Sequence, residues 1–394
     1  MNSAHQRCEV LIVGGGVTGL ALAALLGRAG IPVAVIEADE PQQDWLPDSM
    51  DLRVYAISRV SQRLFEQAGA WPAMLPRACA YGDMHVWDAG GNGEIHFDSA
   101  DLGEPDLGHI IESRVIVSAL LEVLEELPSV RICCPARVQS IGDAGGRQRL
   151  ELEDGQVLDA RLLVGADGRN SRVRDSAGIH AVVSEYGQQA LVCVVETERP
   201  HQHTAWQRFL PTGPLAFLPL FDGRCSIVWS ATSSEARRLL GLDDVAFCAA
   251  LGEAFDYRLG NIKSCGERVL FRLVRQYAEN YVKPGVALIG DAAHVIHPLA
   301  GQGVNLGLKD VLELGEVVQQ ALQVQRDPGS LAVLRRYERA RRGDMLATMT
   351  AMDGFKHMFG SRNVPLRLAR NLGLNLVNNA VPVKNMIMRQ AMGL

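Results

Sequence analysis

The sequence predicts an α/β chain (α+β overall): a Rossmann-like dinucleotide-binding domain, a β-rich second domain and a helical C-terminal segment. Three observations predict it. A strand, a glycine turn, a helix and a second strand follow in order over 8–37. Two further strands run into glycine-containing turns, at 162–168 and 286–291. Between them, 183–264 is rich in strand-like segments with hairpin punctuation. At 394 residues the chain is long enough for two or three domains. With 47% hydrophobic and 21% charged residues it is not a disordered chain. Lys+Arg 39 against Asp+Glu 45 gives a net charge of −6, which excludes a dedicated nucleic-acid binder.

Cys8–Val13 is a short apolar run of the kind buried in a parallel sheet. Gly14-x-Gly16-x-x-Gly19 follows, then a helical stretch over Leu20–Ala29 and a strand at Val33–Glu37. Gly14 permits the tight turn, Gly16 lets a pyrophosphate approach the backbone, and Gly19 lets the helix pack on the strand. The helix N-terminus offers unpaired N–H groups and the positive end of a dipole to phosphates. Glu37 closes the second strand, where an acid accepts hydrogen bonds from an adenosine ribose, so FAD or NAD is expected over NADP.

Val10–Gly27 carries no charge, follows Arg7 and contains Ala21-Leu22-Ala23, which imitates a signal peptide and approaches the length of a membrane span. Gly14-Gly15-Gly16 interrupts it after four apolar residues, so neither a cleaved signal nor a transmembrane helix is expected.

In the second motif, Asp154-Gly155 joins two alternating segments as a hairpin, and Leu162–Val164 delivers Gly165-Ala166-Asp167-Gly168, with Ser171 and Arg174 opening a helix. In the third, the strand from Val286 ends at Gly290-Asp291, where a carboxylate can hold a sugar-alcohol hydroxyl. Pro298 and the turn Ala300-Gly301-Gln302-Gly303 lead into a helix from about Val304, whose N-terminal N–H groups suit the negative charge of a reduced flavin.

These three motifs, in this order, resemble the aromatic-hydroxylase class of FAD monooxygenases, and within it the bacterial ubiquinone-biosynthesis hydroxylases. The resemblance rests on further stretches: Asp51-x-Arg53-x-x-Ala56-Ile57-Ser58, Gly108-His109-Ile110-Ile111-Glu112, Leu215–Leu220, Ala254-Phe255-x-x-Arg258-Leu259-Gly260, His297–Gly307 and Arg389–Leu394. It covers nearly the whole chain, and is strongest to members that hydroxylate a 2-polyprenylphenol next to its oxygen (ubiquinone C5).

The resemblance implies an FAD-binding domain of the aromatic-hydroxylase type, with FAD held by Gly14, Gly16, Gly19 and Glu37 at its ADP half. It implies Arg53 at the pyrophosphate or flavin edge, Asp291 on the ribityl chain, and Pro298, Gly301, Gln302, Gly303 and Asn305 around the isoalloxazine. Asp167 and Gly168 would brace the cofactor. Relatives place Asn, Gln or Arg after the residue matching Glu112; here Ser113 and Arg114 follow, and Arg114 is taken as the cofactor contact. The implied cycle uses NADPH or NADH as donor and O2 as co-substrate, and passes through a flavin 4a-hydroperoxide, so the cofactor carries the chemistry. No side chain is assigned as catalytic; His294 and His297 read as turn-structuring histidines or as acid–base candidates. Flavoprotein isoprenoid reductases and a non-catalytic flavoprotein scaffold are the competing readings. A flavin halogenase is disfavoured by the absence of a Trp-x-Trp-x-Ile-Pro run.

The expected FAD-binding domain comprises 1–75, 104–182 and 265–344, the β-rich substrate domain 76–103 and 183–264, and the helical segment 345–394. In the substrate domain Phe217, Leu218, Pro219 and Trp229 are taken as pocket residues for a hydrophobic prenylated phenol, with sheet core as the alternative for Phe209, Phe217, Phe221 and Trp229. From Met345 on, Lys356, Arg362, Arg367, Arg370, Lys384 and Arg389 face one acid, Asp353. Such a basic, apolar tail suits a membrane surface, another ubiquinone-biosynthesis protein or a docked helical cap. The eight cysteines are scattered without metal-ligand spacing, so no metal is expected and a reducing cytoplasm is, peripheral to the inner membrane if the tail binds lipid. Monomer and homo-oligomer are both open.

Overall fold

Strand Gln6–Val13 is apolar where it enters the core, and it pairs in parallel on both sides, Val10 with Leu162 and with Val33. The computed structural model describes residues 6–46, 48–295, 302–360 and 364–393; at 302, 347–353, 355–360 and 364–370 the description is of backbone alone. The central strand belongs to an eight-stranded sheet ordered Val282–Lys283, Val286–Leu288, Val157–Gly165, Gln6–Val13, Val33–Ile36 and Val130–Cys133. The hairpin Val138–Asp143 and Gln148–Leu152 is appended to Val157–Gly165. Helix Val17–Arg28 buries Leu20, Ala21, Leu22, Ala23, Ala24 and Leu26 between this sheet and helices Ser113–Glu125 and Gln302–Gln323. A helix apolar on every side is one buried on every side, which explains the resemblance of this stretch to a membrane span. No helix among the described residues is long and apolar enough to cross a membrane.

A second, nine-stranded sheet runs His294–Val295, Val269–Ala278, Ala181–Thr197, Cys225–Thr232, Gly213–Pro219, Thr204–Leu210, Asp83–Asp88 and Glu94–Asp98, with Ile262–Cys265 beside Ala181–Thr197. The hairpins expected at Asp154-Gly155 and Phe221–Gly223 are present, with Gly155 and Gly223 in the left-handed region (φ +84° and +89°) that glycine adopts without strain. Strand Val269–Ala278, grouped with the cofactor domain on sequence order, instead pairs along Ala181–Thr197 in this sheet. Sequence distance conceals such a pairing because antiparallel partners need not be neighbours in the chain. Helices Ser233–Leu240 and Asp244–Ala254 supply the core behind the sheet, where Phe247, Leu251 and Phe255 meet Leu191, Phe217 and Trp229. A three-stranded sheet of Val54–Ser58, Gly108–Glu112 and Cys79–Tyr81 bridges the halves. Helices Leu331–Gly360, Val364–Asn379 and Val381–Met392 complete the chain.

Candidate active site

A cleft of about 510 Å³ separates the two large sheets, within the range of small-molecule sites. One wall is backbone. The Gly14 N–H donates to the Ile36 carbonyl (2.8 Å) and its φ is +111°; a Cβ there would collide with the Ala166 carbonyl. A Cβ on Gly19 would collide with the Gly14 carbonyl. Gly16 differs: a Cβ would meet no atom of the described residues within 4 Å and would stand in the cleft itself. Among the described residues no side chain caps helix Val17–Arg28, and no acid occupies its first turn. That leaves its terminal amides to an anionic group. Glu37 lies beside the loop, its carboxylate accepting from the Gly15 N–H (2.5 Å) and the Asp39 N–H (3.0 Å).

Asp167 is a brace. Its carboxylate accepts from Ser171 Oγ (2.5 Å) and from the N–H groups of Arg172 (2.7 Å) and Val173 (3.2 Å), while Ser171 caps the same helix. These bonds hold the turn that carries Gly168 (φ +75°) to the cleft.

The Gly290-Asp291 turn sits on a buried ionic cluster. Asp310 accepts from the Gly290 N–H (2.9 Å), from His294 Nε2 (2.6 Å) and from Arg341 Nε (2.7 Å); Arg341 also reaches Asp344 (2.6 Å). Burial pushes the Asp310 carboxyl up, but His294 and Arg341 outweigh it and hold it below the ordinary carboxylate range. Asp291 opens into the cleft with protein mass around most of it, and this desolvation raises its pKa against the pull of His294, Arg53 and Arg169. His294 is therefore part of the support beneath the turn.

Gly303, Val304 and Gly307 line the cleft at the start of helix Gln302–Gln323, and Gly307 lies so near Thr18 and Gly290 that a Cβ would crowd both. Asn305 faces inward instead. Its Nδ2 donates to the Ala56 carbonyl (2.7 Å), and its Oδ1 accepts from the Ser58 N–H (3.0 Å) and Ser61 Oγ (2.8 Å), so it ties this helix to strand Val54–Ser58. Gln302 is the first residue of the helix, and His297, Pro298 and Gly301 lie outside the described residues.

The two candidate arginines part company. Arg53 is exposed in the cleft, with no side-chain partner among the described residues. Arg114 does not reach the cleft. Its guanidinium donates to Glu112 (2.9 Å), to Ser49 Oγ (3.0 Å) and to the Ser49 carbonyl, and it stacks over Trp45 (4.9 Å). The pull comes from Glu112, 1% exposed and also bound by Arg77 (2.7 Å), since a buried carboxylate needs cations.

The opposite wall is side chain. Strand Gly213–Pro219 alternates, placing Pro214, Ala216 and Leu218 in the cleft and Leu215, Phe217 and Pro219 on the other face. Of the four expected pocket residues only Leu218 lines it. Phe217 stacks on Phe255 (centroids 3.7 Å apart) and Trp229 joins the same core, while Pro219 is buried on their side. In the partner strand it is Val228 and Ser230, flanking Trp229, that face the cleft. The two-residue period fixes this: large aromatics went to the face that packs on helices. Tyr55, Tyr81, Met84, Trp206 and Arg272 complete the wall. Strand periodicity marks their faces, but only strand order shows which face meets the cofactor side. Burial pushes the Tyr81 hydroxyl up to about 12, so it is a neutral donor. Arg272 is exposed to the cleft with no partner among the described residues.

An open cradle at Gly16, the N-terminus of helix Val17–Arg28, a cleft-lining Arg53 and a cleft-facing Asp291 fit FAD. Gly14, Gly16, Gly19 and Arg53 would hold its phosphates and Asp291 its sugar chain. Among the described residues no cluster suits a metal ion.

A family model described as FAD binding domain matches residues 7–350. The chain is similar to ubiquinone hydroxylase UbiL of Rhodospirillum rubrum, 40% identical over 391 residues that cover 99% of this chain and 91% of the relative. It is similar also to the 3-demethoxyubiquinol 3-hydroxylase of Escherichia coli, 38% identical over 99% of this chain and all (100%) of the relative. Among solved structures, p-nitrophenol 4-monooxygenase PnpA of Pseudomonas putida matches with a TM-score of 0.78 at 20% identity, covering 98% of each chain; at that identity the likeness is one of fold.

Proposed function

The chain belongs to the FAD-dependent hydroxylases of ubiquinone biosynthesis, and from that premise we propose that it hydroxylates a 2-polyprenylphenol at the carbon next to the phenol oxygen. The observation that carries this reading is the composition of the cleft: a backbone cradle faces an apolar wall of Ala216, Leu218 and Val228, into which the Arg272 cation is set. FAD, when bound, supplies reduction by NADPH or NADH and transfer of one oxygen atom from O2 to the ring. The chain's own part is to position the ring, exclude water and favour loss of the phenol proton. Arg272 serves the last, because a nearby cation stabilises the phenolate over the phenol. Eight free thiols support work in a reducing cytoplasm.

A second reading has its own support. The E. coli relative acts, by its name, on 3-demethoxyubiquinol, and this chain spans all of it, so the ring position of a later intermediate is the alternative. Mass spectrometry of lipid extracts from aerobically grown cells lacking the protein separates the two. The first reading expects a prenylphenol one oxygen short of the next intermediate; the second expects demethoxyubiquinone. Quinone returns with the intact gene and not with Gly14→Ala/Asp291→Ala. Unchanged quinone and no accumulated intermediate would contradict both.

A further inference from the structure

We propose that Asp51 and Glu112 are positioning residues for Arg53, fixing the main chain from which this cation enters the cleft. Between strands Val33–Ile36 and Val54–Ser58 the described residues form no helix or strand. Arg53 closes that stretch, and its side chain stands in the cleft with no partner among the described residues. A long side chain held by nothing at its head takes its direction from its backbone.

That backbone is held from both sides. The Arg53 N–H donates to one oxygen of the Asp51 carboxylate (2.9 Å), and the Arg53 carbonyl accepts from the Ser113 N–H (2.8 Å). The other Asp51 oxygen accepts from the Arg114 N–H (3.3 Å), so Asp51 ties the stretch to the start of helix Ser113–Glu125. Glu112 sets Asp51 in turn, its carboxylate accepting from the Asp51 N–H (2.8 Å). The same carboxylate gathers Arg77 (2.7 Å) and Arg114 (2.9 Å), and both guanidinium groups run on to the Ser49 carbonyl, Arg77 at 2.9 Å.

This convergence is the mark of a positioning device. A buried ionic cluster adds little net stability over apolar packing, whereas its directed bonds fix geometry. Here the bonds gathered by one buried carboxylate end on 49–53, the stretch that delivers Arg53. Val54 pairs with Glu112 across the three-stranded sheet, so the Asp51-x-Arg53 and Gly108–Glu112 stretches, distant in sequence, act as one unit. A cation fixed before its ligand arrives loses less freedom when it meets a phosphate. The inference rests on FAD occupying the cleft and is independent of which ring is hydroxylated.

The test is titration of the full-length apoprotein with FAD, followed by flavin fluorescence, with each variant's unfolding curve as the check on folding. Arg53→Met should weaken FAD binding about tenfold. Asp51→Ala should weaken it by a similar factor in the parent, yet by less than about twofold when added to Arg53→Met, because its effect runs through that arginine. Asp51→Asn, which keeps a side-chain oxygen for the Arg53 N–H, should recover most of the affinity. Glu112→Gln, equal in size to the parent residue, should repeat the Asp51→Ala pattern and tests the second anchor even where Asp51→Ala does not fold. Asp51→Ala and Glu112→Gln that bind FAD as the parent does would overturn the proposal. So would losses as large on Arg53→Met as on the parent, since a general loosening of the fold does not depend on Arg53. Arg53→Met that binds FAD undiminished would remove the assignment of Arg53 itself, and the proposal with it. Binding is read without turnover, so a failed hydroxylation assay bears on the reaction alone.

Discussion

The two walls of the cleft are made by different physical means. On the cofactor side, Gly16, Gly168, Gly290 and Gly303 present main chain, and positions are enforced by the close approach of Gly14 to Ala166 and by Asp310 beneath. On the sheet side, Pro214, Ala216, Leu218 and Val228 present small or medium side chains, and positions are enforced by Phe217, Trp229 and Phe255 on the opposite face. A backbone wall binds groups common to every cycle, phosphates and sugar hydroxyls, with little freedom to vary. A side-chain wall can change shape through single substitutions while the core behind it holds, so the proposed function places selectivity for the ring here.

The largest effects fall on the supports. Asp310→Ala leaves Arg341 and His294 without their buried carboxylate and should cost about 3–5 kcal/mol, read by denaturant unfolding. The sign of its pH dependence follows from a carboxyl lowered in the fold: the contribution is present above the unfolded carboxylate pKa and is lost as pH falls through the folded value. The variant should therefore lose that part of the acid limb of stability. Phe217→Ala should cost about 3–5 kcal/mol by opening a cavity behind the sheet. Its neighbour tests the difference directly: Ala216→Phe should leave stability and FAD binding near those of the parent and raise KM for the phenol, since it fills the cleft. If both changes acted alike, the assignment of faces would be wrong.

Smaller effects sharpen the contrast. Asp291→Asn should weaken FAD binding about ten- to a hundredfold, the loss of a charge-assisted hydrogen bond, measured by flavin fluorescence titration. The same change should stabilise the apoprotein at neutral pH. A carboxyl raised in the fold contributes its stability below the unfolded pKa and loses it as pH rises through the folded one, so ionised Asp291 is a cost. Arg272→Met should leave FAD binding unchanged and shift the pH profile of kcat/KM to higher pH, because the phenol would lose its nearby cation.

The cofactor wall was legible because its requirements are local. Only glycine satisfies Gly14 at φ +111°, and Gly155, Gly223 and the Ser171 cap announce themselves the same way. The sheet wall was less so. Phe217 and Trp229 look like pocket aromatics until strand order shows which face meets the helices, and the pairing of Val269–Ala278 with Ala181–Thr197 is long-range. Arg114 and Asn305 carry motif-like neighbours, yet their side chains answer to Glu112 and to strand Val54–Ser58, partners that only folding brings near.

As an FAD-dependent aromatic monooxygenase, the protein places an oxygen atom on an aromatic ring. The measurement that tests it most directly is turnover of a short-chain prenylphenol by the purified FAD-loaded protein with NADPH under isotopically labelled O2, followed by mass spectrometry of the product. One labelled oxygen atom per product molecule, dependent on O2, is the expected result. Reduction of a prenyl double bond, or donor oxidation with no labelled product, would contradict it.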